Sequence, residues 1–301
     1  MLFSLASGAL ALALIQQIDT TVPARQGHRL VVDSYAGKID VKAWARNAVR
    51  VEADPSSRTS VEITTGSGAI GVRTEGRRGP PAAVDLRITV PAWMELDLSG
   101  VHADVTVAGT RSSITVETVQ GEVDVTGGEG RLSLRSVQGG VRLTGAKGRI
   151  DLRSVNEDVL VSQTSGEIAA ETVNGEIVLE RVDATSLEAS TVNGDVGYDG
   201  PVRNGGRYTL SSHNGDVTLA VAESSSASIA VSTFNGEFES AFPVTLRETR
   251  KGKRFSFTLG GGSAQVSLES FQGTVQLVRP GQLRRGDEED RHRDRGDDSE
   301  R

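Results

Sequence analysis

The chain has 301 residues, and its 37% apolar content is typical of a globular core rather than of a disordered chain. Its 35 glycines and 4% aromatic content indicate many tight turns and small core side chains, as in all-β and repeat proteins. A net charge of −7 without a Lys/Arg stripe argues against a nucleic-acid partner, and the lack of cysteine excludes disulfides, thiolate metal sites and a cysteine nucleophile.

The N-terminal run Leu2–Ile15 is apolar and is followed by polar residues. It is shorter than the roughly 20 residues that span a bilayer, and Ala11-Leu12-Ala13 is a small-residue pattern that signal peptidase accepts. We therefore predict a signal peptide over residues 1–17, an exported chain and no integral membrane span in its mature form. A buried N-terminal helix is the alternative, because no Lys or Arg precedes the apolar run.

Residues 25–90 alternate between apolar and polar side chains, as half-buried strands do, but they lack a strict repeat. The segment Gly76–Ala83 contains Pro80-Pro81 and interrupts this pattern, so we expect an exposed loop there. The sequence predicts an irregular β cap over residues 25–90, followed by a repeat region over residues 91–279.

The repeat region contains a recurring phrase, Thr/Ser-Val-Asn/Gln-Gly-Asp/Glu-Val. Between Gly121 and Gly175 glycines recur at intervals of nine residues or multiples of nine, and Glu157 stands at the one position where this period would place a glycine but none occurs. Apolar residues follow each glycine by two, four and usually seven positions, as Ile150, Leu152 and Val155 follow Gly148. The two-residue step predicts a strand with one buried face, and the third apolar position lies past a corner.

Two architectures compete for this phrase, because Asn-Gly is also the strongest signal for a two-residue hairpin. In a hairpin closed by Asn174-Gly175, Val173 would share a face with Glu176, so neither face of the hairpin would be uniformly apolar. We therefore predict an all-β, single-domain β-solenoid of the parallel β-helix type, with about 18 residues per coil. Residues one coil apart then stack.

The solenoid predicts specific columns of stacked residues. Two columns are interior, and a third is a ladder of side-chain amides on the corners. The three columns are Val123, Val141, Val159 and Ile177; Leu132, Ile150 and Ile168; and Asn174, Asn193, Asn214 and Asn235. We assign the repeated corners to structure and expect any functional site on the outward strand faces or at the irregular ends.

After Gly194 the spacing of the corner glycines increases to twenty-one residues, at Gly215 and Gly236. From Phe242 to Leu259 the strands contain more aromatic residues, such as Phe255 and Phe257, and Ser270–Leu277 is the last copy of the phrase. We expect these heavier side chains to belong to a terminal coil whose open edge must be covered. Residues Leu283–Arg301 are nearly all charged, and we predict a disordered charged tail over residues 280–301.

No catalytic, cofactor-binding or metal-binding residue is predicted, and no cofactor is implied, because no known catalytic or nucleotide-binding motif occurs. Gly127–Gly130 is similar to a calcium-binding β-roll nonapeptide, but Leu132 occupies the position of its aspartate. A row of stacked acids also occurs, and the repulsion between its like charges can be relieved in two ways: by a weakly bound divalent cation, or by solvent and salt around exposed side chains. The rows to be located in the structure are the acids Glu122, Asp158, Glu176, Asp195, Asp216 and Glu237, and the arginines Arg131, Arg135, Arg149 and Arg153.

Through the repeated phrase and the preceding Ile88-Thr89-Val90-Pro91, the chain resembles a widespread bacterial family of β-strand-repeat, adhesin-like proteins of unknown function. The resemblance covers about Arg25–Leu277 and implies an envelope or secreted location. The leading hypothesis is a non-catalytic, exported adhesin-like or scaffolding protein of the bacterial cell envelope, with a protein or glycan partner. The alternatives are an accessory protein of envelope-stress or sigma-factor signalling, and a polysaccharide-active β-helix enzyme.

Overall fold

The computed structural model describes residues 17–66, 68–248 and 253–283. The predicted signal peptide, apart from its last residue, and the tail from residue 284 onward lie outside the described residues. Within those ranges the regular structure consists of 25 strands in one large, mostly parallel sheet, which confirms the all-β class. No helix in the described part of the chain is long and apolar enough to cross a membrane.

Strands occur throughout the described residues, and they are numbered here in sequence order. The first seven are β1 Ile18–Pro23, β2 Arg29–Trp44, β3 Ala48–Ala53, β4 Thr59–Thr65, β5 Ala69–Gly76, β6 Leu86–Pro91 and β7 Glu95–Thr110. The next nine are β8 Ile114–Gln120, β9 Val123–Gly127, β10 Glu129–Gln138, β11 Val141–Thr144, β12 Lys147–Arg153, β13 Val159–Ser162, β14 Ser165–Glu171, β15 Ile177–Glu180 and β16 Asp183–Asn193. The last nine are β17 Val196–Asp199, β18 Arg207–Asn214, β19 Val217–Ala220, β20 Ala227–Thr233, β21 Phe238–Ser240, β22 Arg247–Glu248, β23 Lys253–Leu259, β24 Ala264–Gln272 and β25 Val275–Val278.

The strands form two ladders, and the long strands β2 and β7 contribute their first halves to one ladder and their second halves to the other. From one end to the other, ladder A runs β4, β5, β2, β7, β8, β10, β12, β14, β16, β18, β24, β20, β23 and β22. Ladder B runs β1, β3, β6, β2, β7, β9, β11, β13, β15, β17, β19, β25 and β21. We call one A strand and the B strand that follows it a rung.

Residues one rung apart are paired in register, and this places the core between the ladders. In ladder A, Leu132 pairs with Ile150, and Ile150 pairs with Ile168. In ladder B the successive partners are Val123, Val141, Val159 and Ile177. All of these side chains are at most 3% exposed. Both predicted interior columns are therefore confirmed, because alternate residues of a strand point to one face.

The order of the rungs in space differs from their order in the sequence. Strands β24 and β25 lie between β18/β19 and β20/β21, so the last copy of the phrase in the sequence is not the last one in space. The outermost positions of ladder A belong instead to β23 and β22, which pair antiparallel beyond β20. At the other end, β2 likewise lies between β5/β6 and the later strand β7.

The segment after β25 folds back over the outer surface of ladder B. The backbone N–H of Gly281 donates to a carboxylate oxygen of Asp199 at 2.8 Å, and the side chain of Leu283 lies against Gly197. Gly197 pairs with Val178, which lies between the inward-facing residues Ile177 and Leu179. Val178 does occupy an outward position, but it is only 2% exposed. The first residues of the predicted tail therefore pack on the sheet.

Candidate functional site

The connections from ladder A to ladder B contain the repeated phrase, and its first residue is a buried Ser or Thr. Seven of these hydroxyls donate to the backbone carbonyl at the connection one rung back, for example Ser212 to Gly194 at 2.7 Å and Thr172 to the carbonyl of Glu157 at 2.9 Å. Five further residues make the same contact: Thr118, Ser136, Ser154, Thr191 and Ser270. The hydroxyl of Thr233 instead accepts the N–H of Gly236, and the buried hydroxyl of Ser34 has no hydrogen-bond partner among the described residues. A buried carbonyl needs a hydrogen-bond partner, so this position selects a hydroxyl.

The glycine of the phrase allows close approach of neighbouring rungs. A Cβ atom added to Gly139 would lie 2.0 Å from the carbonyl oxygen of Gly121, well inside van der Waals contact. The aspartate that often follows also links rungs, since the carboxylate of Asp158 accepts the N–H of Glu176 at 2.7 Å. Asp104, Asp195 and Asp216 make the same contact to the next rung. Both positions are therefore explained by the stacking of rungs.

The amide position forms the predicted ladder, with one correction. Asn193 donates its side-chain N–H to the side-chain oxygen of Asn174 at 2.8 Å, and Asn214 donates to Asn193 at 2.7 Å. Asn156 extends the ladder in the other direction. Asn235 does not adjoin Asn214, because β24 inserts Gln272 between them.

The second residue of the phrase points outward and is apolar in most rungs. Among the described residues nine large apolar side chains are exposed, and eight of them occupy this one position; the ninth is Leu246. We call this line of side chains the corner ridge. In spatial order it consists of Tyr35, Val101, Val119, Val137, Val155, Val173, Val192, His213, Phe271 and Phe234.

The corner ridge is long because its members belong to ten successive rungs. Neighbouring strands are about 4.8 Å apart, so ten rungs extend over roughly 43 Å. At one end of the ridge three rings stack: His213 on Phe271 with centroids 4.6 Å apart, and Phe271 on Phe234 with centroids 4.8 Å apart. Phe234, the last ring, is 65% exposed.

The opposite connections, from ladder B to ladder A, differ from the ridge. Their apolar residues, such as Ala146 and Val182, are buried, whereas Val155 at the equivalent place in the nine-residue pattern is 36% exposed. At the ridge the preceding Ser or Thr occupies the interior position, so the next side chain must point out. The expectation that the repeated corners contain only structural residues therefore missed an exposed apolar surface.

The predicted row of acids runs beside the ridge, three positions further along each phrase. The structure adds Asp104 to the six predicted acids Glu122, Asp158, Glu176, Asp195, Asp216 and Glu237. Two rungs have Gly140 and Thr274 at this position, and Lys38 is the only cation of the row within the described rungs. No group of three or more potential metal ligands occurs in the described residues.

The four arginines do not form a continuous basic patch, because acids are interleaved with them on ladder A. Arg149 pairs with Glu167 at 2.7 Å, and Arg153 pairs with Asp151 at 3.0 Å, which raises the pKa of that guanidinium above its ordinary value. Arg135 lies 3.9 Å from both Glu117 and Asp151. A shallow depression of about 360 Å³ on ladder A has mixed charge, since its lining includes Arg131, Arg135, Arg149, Asp151 and Glu167.

Comparisons with known proteins give a family and several distant structural likenesses. The family model described as Toastrack DUF4097 matches residues 15–278, and no curated protein matches the chain. A "putative adhesin" from Bacteroides fragilis has a TM-score of 0.42 at 12% identity, over 87% of this chain and 97% of its own. Two further solved structures of a "putative adhesin" are similar to this chain. The one from Parabacteroides distasonis has a TM-score of 0.35 at 10% identity, over 87% of this chain and 97% of its own. The one from Parabacteroides merdae has a TM-score of 0.35 at 11% identity, over 88% of this chain and 97% of its own.

Proposed function

The chain belongs to the Toastrack DUF4097 family, and we propose that it is a non-catalytic, adhesin-like protein of the bacterial cell envelope that binds its partner along the corner ridge. The observation that carries this proposal is the alignment of eight of the nine exposed large apolar side chains in the described residues on one line. Scattered exposed apolar residues need no explanation, but a contiguous exposed line of them marks an interaction surface.

Unlike the other positions of the phrase, the valines of the corner ridge form no side-chain hydrogen bond between rungs. The hydroxyl, amide, glycine and aspartate positions each make a contact between rungs, as between Ser154 and Gly139 or between Asp158 and Glu176. An outward side chain such as Val137, which is 41% exposed, makes no such hydrogen bond. Threonine has the shape and the β-propensity of valine, so the choice of an apolar residue at this exposed position supports binding.

The proposal includes the finer architecture and the location of the protein. We read the two ladders as the faces of one β-solenoid with about 18 residues per coil, residues 25–90 as its cap and residues 91–279 as its body. Residues 1–17 are the signal peptide, and residues 280–301 are a charged tail whose first part packs on ladder B. Support for export is the apolar run Leu2–Ile15 with its Ala11-Leu12-Ala13 pattern.

The test is retention of the protein on isolated bacterial cell-envelope fractions, separated into polysaccharide and protein. The key variant replaces Val119, Val137, Val155 and Val173 by Thr, which keeps the shape and β-propensity of each side chain and removes its apolar character. We expect the wild-type protein to be retained and the variant to bind at least tenfold more weakly. The control is Leu246→Thr, which removes the exposed apolar side chain outside the ridge. Equal retention of the wild-type protein and the ridge variant would refute the proposal.

A further inference from the structure

We propose that the partner of the corner ridge is a cationic, amphipathic polypeptide segment that lies along the ridge and the adjacent row of acids. The inference rests on the proposed function and adds the chemistry of the partner. Two observations carry it together: the ridge is apolar over roughly 43 Å, and a row with seven carboxylates and one lysine runs parallel to it.

The negative charge of the acid row argues against several other kinds of partner for the corner ridge. A second copy of this chain would bring one row of acids against another, and the chain has a net charge of −7. Anionic lipid surfaces, anionic glycans and nucleic acids would meet the same repulsion. A partner with Lys or Arg beside its apolar side chains complements both lines at once.

The geometry of the aromatic end argues against a sugar as the main occupant. The rings of His213, Phe271 and Phe234 are nearly parallel, with interplanar angles of 5° and 3°. Their inner faces therefore cover one another, and the outer face of Phe234 is the ring face left at the end of this stack. Sugars stack on open ring faces, whereas a row of ring edges and valine methyl groups matches apolar side chains.

Part of the acid row is held in a fixed position by hydrogen bonds of the fold. The carboxylates of Asp104, Asp158, Asp195 and Asp216 accept backbone N–H groups from the next rung, which positions negative charge along the whole connection. Glu122 and Glu237 are exposed members of the same row. A segment of about 13 residues in extended conformation would span the ridge.

The probe is a synthetic 14-residue peptide of alternating Leu and Lys, added to the full chain and followed by fluorescence anisotropy. Two matched peptides test the two requirements separately: alternating Leu and Glu keeps the apolar side chains, and alternating Ser and Lys keeps the charge. We expect the Leu–Lys peptide to bind at least tenfold more tightly than either control, and to bind more weakly at high salt because screening acts on exposed charges.

Two sets of variants locate the peptide on the chain. The four ridge substitutions, V119T, V137T, V155T and V173T, should weaken binding at least tenfold. The pair Glu122→Gln and Glu237→Gln should weaken it several-fold at low salt and have little effect at 0.5 M salt (about 4 Å screening length). The control pair is Glu129→Gln and Glu223→Gln on the opposite connections, which should leave binding unchanged.

Three results would overturn the inference: equal binding of the Ser–Lys peptide, unchanged binding by the ridge variant, or preferential binding of anionic lipid vesicles over the peptide. Thermal melting shows whether each variant is folded. Retention on envelope fractions through the ridge, without binding of the Leu–Lys peptide, would overturn this inference and leave the proposed function standing. Peptide binding through the ridge without retention on any envelope fraction would support the chemistry of the partner inferred here and would refute the proposed function in the cell envelope.

Discussion

The ring of Phe234 lies flat on the ring of Phe271, with centroids 4.8 Å apart and planes 3° apart. The two residues belong to copies of the phrase that are consecutive in space but reversed in the sequence, because β24 lies between β18 and β20. This stacking continues the line of exposed valines as far as the rung of β20 and β21. The reordered rungs therefore build one uninterrupted surface.

The corner glycine should tolerate no side chain, and its neighbour provides a matched control. In Gly139→Ala the added Cβ would lie 2.0 Å from the carbonyl oxygen of Gly121, whereas in Gly140→Ala its nearest atom would be 3.6 Å away. Overpacking of a well-packed interior costs about 1–3 kcal/mol. We expect Gly139→Ala to reduce the free energy of unfolding by about that amount, and Gly140→Ala to change it by less than about 0.5 kcal/mol.

Urea denaturation of both glycine variants measures this difference. Similar losses of stability in both would contradict the close approach of rungs at Gly139.

The buried hydroxyl of the phrase should contribute to stability through its hydrogen bond. Thr172→Val keeps the shape of the side chain but removes the donor to the carbonyl of Glu157, which lies 2.9 Å away. Leaving a buried acceptor without this donor costs about 1–3 kcal/mol. The exposed residue Thr126 is the control, since Thr126→Val removes no buried hydrogen bond. A loss of stability that is no larger for Thr172→Val than for Thr126→Val would contradict this role.

A pH-dependent contribution to stability should come from the pair of Asp183 and Arg203. The hydrogen bonds from Arg203 lower the pKa of the Asp183 carboxyl from its ordinary value of 3.8. Because the folded-state pKa is lowered, the stabilisation is present above the ordinary pKa and is lost as pH falls through the folded-state value. The side chains are 36% and 54% exposed, so solvent screening limits the effect to about 1 kcal/mol or less.

The measurement compares unfolding of the wild-type protein with that of Asp183→Asn between pH 7 and pH 2. The wild-type protein should be the more stable at pH 6, and the difference should disappear toward the acid end. A difference that grows as pH falls has the wrong sign and would contradict the lowered pKa.

The sequence predicts the faces of the strands well, because a two-residue step fixes which side chains share a face. Val123, Val141, Val159 and Ile177 stack as expected for this reason. It does not predict the order of rungs at the C-terminal end. That order depends on which distant strands β24 pairs with. Because the copies of the phrase are so similar, the sequence does not show that β24 lies between β18 and β20.

The corner ridge was not predicted, because the nine-residue period treats both connections of a rung alike. Val155 and Val182 both follow a glycine by seven positions, yet one is 36% exposed and the other is fully buried. The difference arises from Ser154, whose hydroxyl occupies the interior and bonds to Gly139. A hydroxyl residue immediately before the valine is the signal in the sequence that could have identified the ridge.

The most direct test of the central claim uses the absence of cysteine from the chain. A single cysteine placed on the ridge, Val155→Cys, carries an environment-sensitive fluorophore, and Lys147→Cys on an opposite connection provides the control. Addition of the retaining envelope fraction should shift the emission to shorter wavelength for the label at position 155 and leave the label at position 147 unchanged. A shift at position 147 without one at position 155 would contradict the assignment of the corner ridge as the binding surface.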